Sequence, residues 1–187
     1  MNRLGAKKAG EIQTLPVIEF HPQEISIKRF KKSVTDVGGL VIDSTEMLNW
    51  NEWLGKKFGT QIKVYSTSEV YPGNFILHTE TLPKTTEQLN SIDVAIIHGK
   101  LGVVENGAVW VENVKHRAIP FIAEHLILIL GKNDIVPTMH EAYEILTKSE
   151  MPEFGVFISG PSKTADIEQS LVYGAQGPKS LTIILHE

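Results

Sequence analysis

Five consecutive apolar residues, Leu126–Leu130, constrain the fold of this 187-residue chain more than any other feature. A short continuous apolar run is typical of a strand that is buried on both faces, as in the parallel sheets of α/β proteins. The wider apolar stretch, residues 121–130, contains Glu124 and His125 and is far shorter than the roughly 20 residues of a membrane helix. The run therefore predicts a buried strand and no membrane span.

Similar runs, bounded by glycine and turn residues, predict the other strands of the fold. They occupy residues 40–42, 61–65, 94–97, 101–104, 108–111, 156–158 and 181–185. Apolar stripes and helix-start signals predict helices between them. These helices cover residues 25–37, 43–58, a stretch that begins near Pro137, and about 164–173. Strands that alternate with helices predict an α/β domain with a mixed, mainly parallel sheet flanked by helices.

The first residues of the chain differ from the rest. Residues 1–24 lack a sustained hydrophobic period and contain two glycines and two prolines, so we interpret them as an arm that precedes a domain over residues 25–187. The basic residues near the start have no apolar segment behind them. This pattern argues against a secretory signal and predicts a cytoplasmic protein.

Composition excludes several classes of chemistry. The chain has no cysteine, which excludes disulfides, a thiolate nucleophile and iron–sulfur clusters ligated by this protein. Its seven histidines show no metal-ligand spacing, so we predict neither a metal nor a cofactor on this chain. The 18 basic residues are outnumbered by 22 acidic residues, and nucleic acid is not a predicted partner because phosphate binding needs a concentrated basic face.

The segment Ser159–Glu168 is the densest in groups that bind ligands. It follows a predicted strand and opens a predicted helix, a place where loop amides and the positive helix terminus hold anions. Gly160 permits close approach of the backbone. Ser162 and Thr164 supply hydroxyl groups, and Lys163 supplies a cation for a carboxylate or phosphate. We therefore expect a ligand pocket here, at the carboxyl edge of the sheet.

An ordinary helix start accounts for the same residues. Ser162 or Thr164 is a suitable N-cap, and Asp166 and Glu168 complement the helix dipole in the first turn. These acids also weaken anion binding, and the glycine–lysine–serine order of a P-loop is absent. Residue types alone leave both interpretations open.

Two further residues are acid–base candidates by type. Glu105 ends an apolar strand, where its carboxylate can act as a general base, a nucleophile or a metal ligand, but the Asn106-Gly107 pair after it also predicts a tight hairpin. His125 begins the most apolar strand, and its titration range suits acid–base chemistry. A hydrogen-bonded structural histidine is the commoner case in such a position.

The residue order in Ser159–Glu168, Ser-Gly-Pro-Ser-Lys-Thr-Ala-Asp-Ile-Glu, resembles the LUD-domain family, and within it the lactate-utilisation protein C (LutC/YkgG) group. Gly174 and Gly177 follow at family-like distances, before a closing apolar strand. The Glu105 turn and the approach to His125 add to the resemblance. It covers nearly all of the chain after the arm.

The resemblance implies a fold similar to the NagB/RpiA/CoA-transferase-like class. It also implies a non-redox subunit of a system that oxidises L-lactate to pyruvate, in which iron–sulfur partner proteins carry the clusters and the electrons. The implied ligand is a small anion such as lactate, with Glu105 and His125 as acid–base residues. The implied ligand-binding residues are Ser159, Gly160, Ser162, Lys163, Thr164, Asp166, Glu168 and Gly177.

Two other functions stay open at this point. One is a stand-alone enzyme that acts on a phosphorylated sugar, an acyl-coenzyme A or a folate-type substrate, which rests on analogy of fold alone. The other is a non-catalytic interaction module. Turnover by the purified protein favours the first of these, and obligate co-purification with iron–sulfur proteins favours either the lactate system or the interaction module.

Overall fold

A computed structural model of the protein describes residues 27–46, 49–67, 76–77, 85–114, 116–165, 171–174 and 176–187, so the arm predicted at residues 1–24 lies outside the described part. The helices within these ranges are α1 (Ile27–Asp36), α2 (Trp50–Phe58), α3 (Thr86–Leu89), α4 (Ile119–Ile122) and α5 (Met139–Thr147). The strands are β1 (Leu40–Asp43), β2 (Val64–Ser66), β3 (Ile76–Leu77), β4 (Val94–His98), β5 (Leu101–Val103), β6 (Ala108–Glu112), β7 (His125–Gly131), β8 (Ile135–Val136), β9 (Gly155–Ile158), β10 (Lys163–Ala165), β11 (Leu171–Tyr173) and β12 (Ser180–His186). None of the described helices has both the length and the apolar character needed to cross a bilayer.

The strand predicted to be buried on both faces is β7, which lies in the interior of a six-stranded sheet. The strand order of this main sheet is β1-β12-β7-β4-β2-β3, and all neighbouring strands are parallel. The register places Leu126 of β7 between Leu181 of β12 and Ala95 of β4. The prediction of an α/β fold with a mainly parallel sheet flanked by helices is confirmed.

Alternate residues of β7 enter two different cores because successive side chains of a strand point to opposite faces. Ile127 packs with Leu54 of α2 on one face of the main sheet. Leu126 and Leu128 pack on the other face, in the core that also contains Phe30 of α1. Coverage on both faces explains why the run has no polar alternation.

Most of the antiparallel pairing occurs in a separate four-stranded sheet, with the order β8-β5-β6-β9. Strand β6 pairs antiparallel with both β5 and β9, whereas β5 and β8 are parallel. Val109 and Val111 of β6 join the core on the α1 face of the main sheet. Trp110 points the other way and packs with Ala142 and Leu146 of α5. The antiparallel pairing therefore belongs to a second layer, and the main sheet remains parallel.

The helix predicted at about residues 164–173 is wrong. Strands β10 and β11 occupy its two ends and pair antiparallel, with Lys163 opposite Tyr173 and Ala165 opposite Leu171. The sequence Leu-Val-Tyr in β11 combines β-branched and aromatic residues that favour an extended backbone. The predicted helix start at Ser162 or Thr164 is therefore absent.

The helix predicted from Asp43 to Phe58 begins later than expected. Asp43 does not cap it, because its carboxylate accepts hydrogen bonds from the backbone N–H and hydroxyl of Thr45, within a short 3-10 turn. The helix α2 begins at Trp50, and the side chain of Asn49 is its N-cap. It ends before Gly59 as predicted.

Candidate functional site

A cavity of about 290 Å³ lies where β9 ends and where β7 and β12 begin. The loop residues that line it are Ser159, Gly160, Pro161, Ser162, Lys163, Gln176, Gly177 and Pro178. The apolar residues that line it are Pro120, Phe121, Leu126, Phe157, Ile158 and Leu181. Five of the residues predicted from the sequence thus lie together around one cavity: Ser159, Gly160, Ser162, Lys163 and Gly177.

Hydrogen bonds fix the loop between β9 and β10 on both sides. The hydroxyl of Ser159 donates to the carbonyl oxygen of Asn106 at 2.7 Å, which ties the loop to the β5–β6 turn. The backbone N–H of Ser162 donates to the carbonyl oxygen of Pro178 at 2.9 Å, and the N–H of Gly174 donates to the carbonyl oxygen of Ser162. The loop is therefore held without the helix that the sequence predicted.

Two features of position 160 require a glycine: its backbone angle and the closeness of a neighbouring backbone atom. Its φ is +73°, and a Cβ atom there would lie 2.5 Å from the carbonyl oxygen of Val37, just beyond α1. Glycine accepts this conformation readily and leaves room for the neighbouring backbone. We predicted that Gly160 permits a close approach of the backbone. In the structure, the backbone that it approaches is that of Val37, just after α1.

Lys163 is the charged residue among the described residues that line the cavity. Its ammonium group lies beside Gly38, where a Cβ atom would be 3.0 Å from Nζ. Gly38 lies two residues after the last residue of α1, and the partial negative charge of a helix C-terminus favours a cation there. The end of α1 thus places Lys163 at the cavity, which no described acidic residue lines.

The position of this cavity corrects the expectation of a pocket at the carboxyl edge of the sheet. Leu126 and Leu181 are the second residues of β7 and β12, so the cavity lies at the amino ends of these parallel strands. The loop that carries Ser159 follows the carboxyl end of β9, but β9 belongs to the second sheet. Because β9 lies in a separate sheet from β7 and β12, its carboxyl end can lie next to the amino ends of these two strands.

Glu105 lies outside the described cavity lining, in the turn between β5 and β6. Its carboxylate accepts a hydrogen bond of 2.9 Å from the backbone N–H of Met139, the first residue of α5. Its own N–H donates to the carbonyl oxygen of Pro137. The exposed carboxylate thus complements the amino end of α5, where a negative charge is favourable.

His125 also lies away from the cavity, on the opposite face of the main sheet from Leu126. Its Nδ1 is 2.8 Å from the hydroxyl oxygen of Ser180, and its ring centroid is 4.5 Å from that of Phe58 in α2. Burial lowers the pKa of His125 below its usual range, and Glu124 opposes this effect. The structure therefore does not bring Glu105 and His125 together at the candidate ligand site. The side chain of Thr164, and the whole of Asp166 and Glu168, lie outside the described residues.

The sequence model of the LUD domain family matches residues 27–186 of this chain. The chain belongs to the LUD domain family. A crystal structure of a DUF162 family protein from Deinococcus radiodurans has the same fold, with a TM-score of 0.59 and 16% identity over 86% of this chain and 95% of that chain.

Curated relatives of this LUD domain share the name Lactate utilization protein C. The protein of Anoxybacillus flavithermus is 32% identical over 101 residues, which are 53% of this chain and 46% of the relative. That of Halalkalibacterium halodurans is 30% identical over 140 residues, 71% of this chain and 58% of the relative. That of Geobacillus kaustophilus is 36% identical over 106 residues, 53% of this chain and 43% of the relative. The chain spans about half the length of the curated relatives it matches.

The apolar part of the cavity in this LUD domain was missed by reasoning from the sequence. Leu126 and Leu181 are 55 positions apart in the sequence, and only the parallel register of β7 and β12 makes them neighbours. Phe121 reads as one residue of a general apolar stretch, yet it lines the cavity and is 44% exposed. Its exposure next to a conspicuous polar loop was not visible without the fold.

The carboxyl edge of the main sheet carries charged side chains that are paired with one another. The ammonium of Lys132 lies 2.9 Å from Asp43 and 2.5 Å from Glu187. The hydrogen bonds from Lys132 and Thr45 lower the pKa of Asp43 to about 2. No group of three or more His, Asp or Glu side chains among the residues described for this LUD domain is placed to hold a metal ion.

The lowered pKa of His125 predicts a dependence of stability on pH. In the unfolded chain His125 binds a proton near its ordinary pKa of about 6.5, whereas burial resists protonation in the folded LUD domain. We therefore expect the free energy of unfolding, measured with urea, to decrease as the pH falls below about 6.5.

In His125→Gln the free energy of unfolding should fall less at low pH than in the wild-type protein. Some loss should remain, because burial also lowers the pKa of His98. His140→Gln is the matched control because His140 is an exposed residue of α5. An unchanged slope of stability against pH in His125→Gln contradicts the prediction.

Proposed function

We propose that this LUD domain is a ligand-binding, non-redox component of a lactate-utilisation system. The support is membership of the LUD domain family and similarity to proteins named Lactate utilization protein C. Within this proposal, the system is cytoplasmic, the domain covers residues 25–187, residues 1–24 are an arm, and the domain has the NagB/RpiA/CoA-transferase-like architecture.

One observation carries the proposal of a ligand site. The loop 159–163 and Gly177 converge on a cavity of about 290 Å³ in which Lys163 is the charged residue among the described lining. A lysine ammonium forms strong charge-assisted hydrogen bonds with carboxylates. We assign the carboxylate of lactate, or of pyruvate, to Lys163, with the hydroxyl of Ser162 as a second donor.

The roles that we give to Glu105 and His125 follow from their contacts. Glu105 stabilises the amino end of α5, and His125 stabilises the amino ends of β7 and β12 through Ser180. Neither is among the described residues that line the cavity. We therefore propose that they are structural residues and that they do not act as an acid–base pair on the bound acid.

The oxidation of L-lactate to pyruvate releases two electrons and two protons, and these electrons need an acceptor. The chain has no cysteine, so it does not ligate an iron–sulfur cluster through thiolates. We propose that iron–sulfur partner proteins accept the electrons and that this domain presents the carboxylate ligand or the assembly surface.

The ligand assignment is tested by titrating the purified chain with L-lactate and with pyruvate in a calorimeter. Lys163→Met keeps most of the apolar stem and removes the charge, and we expect it to weaken binding at least tenfold, since a hydrogen bond to a charged group contributes about 1.5–3 kcal/mol. Lys148→Met is the matched control, because Lys148 is an exposed lysine at the end of α5 that does not line the cavity. Equal affinities of the Lys163→Met and wild-type proteins overturn the assignment.

The proposal that partner proteins, and not this chain, carry the electrons is tested by the visible absorption and the activity of the purified protein. We expect the purified chain to show no visible absorption band and no lactate oxidation on its own. When the chain is isolated from its own cells grown on L-lactate, we expect proteins with the visible absorption of thiolate-ligated iron–sulfur clusters to co-purify. Lactate oxidation by the purified chain alone contradicts the proposal.

A further inference from the structure

We infer that the cavity takes a 2-hydroxy or 2-oxo monocarboxylate whose apolar side chain is larger than the methyl group of lactate, of the branched-aliphatic or aryl class. The inference rests on the proposed function, which assigns the carboxylate to Lys163. The new part of the inference is the kind of ligand side chain that the apolar part of the cavity binds. Its basis is the size of the cavity and the chemistry of the residues around it.

The cavity is too large for lactate alone. Its volume is about 290 Å³. Lactate has six non-hydrogen atoms and fills on the order of 100 Å³, about the volume of three to four water molecules in the liquid. More than half of the cavity would then hold only water, whereas a ligand about twice the size of lactate would occupy roughly two thirds of it.

The lining divides by chemistry into a polar and an apolar part. The polar part is formed by the loop that contains Ser162 and Lys163. The apolar part includes Leu126, Leu181 and Phe121, whose side chains offer no hydrogen bond to water. Water in such a position lacks the two to four polar partners that ordered water needs, so replacing it with a hydrocarbon group is favourable. A ligand with one carboxylate end and one apolar end matches this division.

The apolar part combines a rigid floor with an exposed rim. Leu126 and Leu181 are register partners in adjacent strands and are 1% and 2% exposed, so they form the rigid floor but offer a ligand almost no surface of their own. Phe157 and Ile158 are half-buried, also line the cavity and supply accessible apolar surface. Phe121, in α4, is 44% exposed and remains accessible to a ligand. A preformed apolar surface binds a hydrocarbon group with little loss of conformational freedom in the protein.

The test compares three acids of increasing side-chain size on the full chain: L-lactate, L-2-hydroxyisocaproate and L-3-phenyllactate. Each buried methylene increases affinity by about fourfold, so we expect L-2-hydroxyisocaproate to bind at least tenfold more tightly than L-lactate. We expect Phe121→Ala to weaken binding of L-3-phenyllactate about fivefold more than it weakens binding of L-lactate. Met151→Ala is the matched control, because Met151 is an exposed apolar residue that does not line the cavity.

The outcomes separate this inference from the proposed function. If L-lactate binds and the larger acids bind equally or more weakly, the inference is overturned and the proposed function stands. If none of the three acids binds to the folded wild-type chain, both are overturned. The expected result is an affinity that increases with the size of the ligand's side chain. This increase should depend on Phe121 and not on Met151.

Discussion

Phe30→Ala is expected to lower the free energy of unfolding by about 3–5 kcal/mol, because it removes a fully buried aromatic side chain and leaves a cavity. Phe30 belongs to α1 and lies in the core on that face of the main sheet. One ring carbon is 3.3 Å from the position that a Cβ atom on Gly102 of β5 would occupy. Urea unfolding, followed by circular dichroism, measures the loss.

The control for Phe30→Ala is Lys28→Ala on the exposed side of the same helix. A surface substitution of this kind changes stability by no more than about 0.5 kcal/mol. A loss below about 1 kcal/mol for Phe30→Ala would show that α1 does not depend on this contact, against the range that core truncations give.

Gly107→Ala is expected to destabilise the protein by about 2–4 kcal/mol, through backbone strain and a steric clash together. Gly107 has a φ of +64°, and a Cβ atom there would lie 2.7 Å from the backbone nitrogen of Val34 in α1. Because the obstructing atom belongs to a helix backbone, it cannot rotate away. Thermal and urea unfolding of the variant both report this loss.

Two companion variants separate strain from clash. Gly59→Ala is the first, because Gly59 also has a positive φ, of +95°, but has no atom within 4 Å of a Cβ position. It should cost about 1–2 kcal/mol, the strain alone. Gly107→Asn is the second, because asparagine tolerates the left-handed conformation better than alanine but keeps a Cβ atom. Full recovery of stability in Gly107→Asn would show that strain, and not the contact with Val34, dominates.

Phe30→Ala and Gly107→Ala both disturb the packing of α1, and this helix also helps to position the candidate site. Its backbone packs against Gly107 in the β5–β6 turn, and Val37, just after its end, packs against Gly160 in the loop after β9. Gly38 lies beside the ammonium of Lys163. Weakening of α1 should therefore also weaken carboxylate binding, in addition to lowering stability.

The fold was largely predictable because its strongest signals are local. The continuous run in β7 predicts burial on both faces, and the two cores around Ile127 and Leu128 confirm it. The apolar stripe that contains Phe30 and Val34 predicts α1, and both residues are fully buried. Patterns of this kind depend only on neighbouring residues and on the geometry of one element.

The errors arose where long-range contacts decide the structure. Ser162 and Thr164 resemble a helix start, but the chain forms strand β10, which pairs with Tyr173 and its neighbours in β11. The loop after β9 was expected at the carboxyl edge of the main sheet, and the division into two sheets moves it to the amino ends of β7 and β12. His125 directly precedes Leu126 in the same strand, so its side chain points to the other face of the sheet. It therefore lies away from the cavity, although it is next to a cavity-lining residue in the sequence.

The pairing of β1 with β12 has a consequence for how the chain reaches its folded state. Leu40 lies beside Thr182, so one side of the main sheet joins segments from opposite ends of the domain. Closing such a long loop costs conformational entropy before any contact compensates for it, and distant pairings of this kind slow folding. Until β12 is inserted between β1 and β7, β7 has an unpaired edge and β1 has no partner strand in the main sheet. This step in folding therefore exposes the domain most to aggregation.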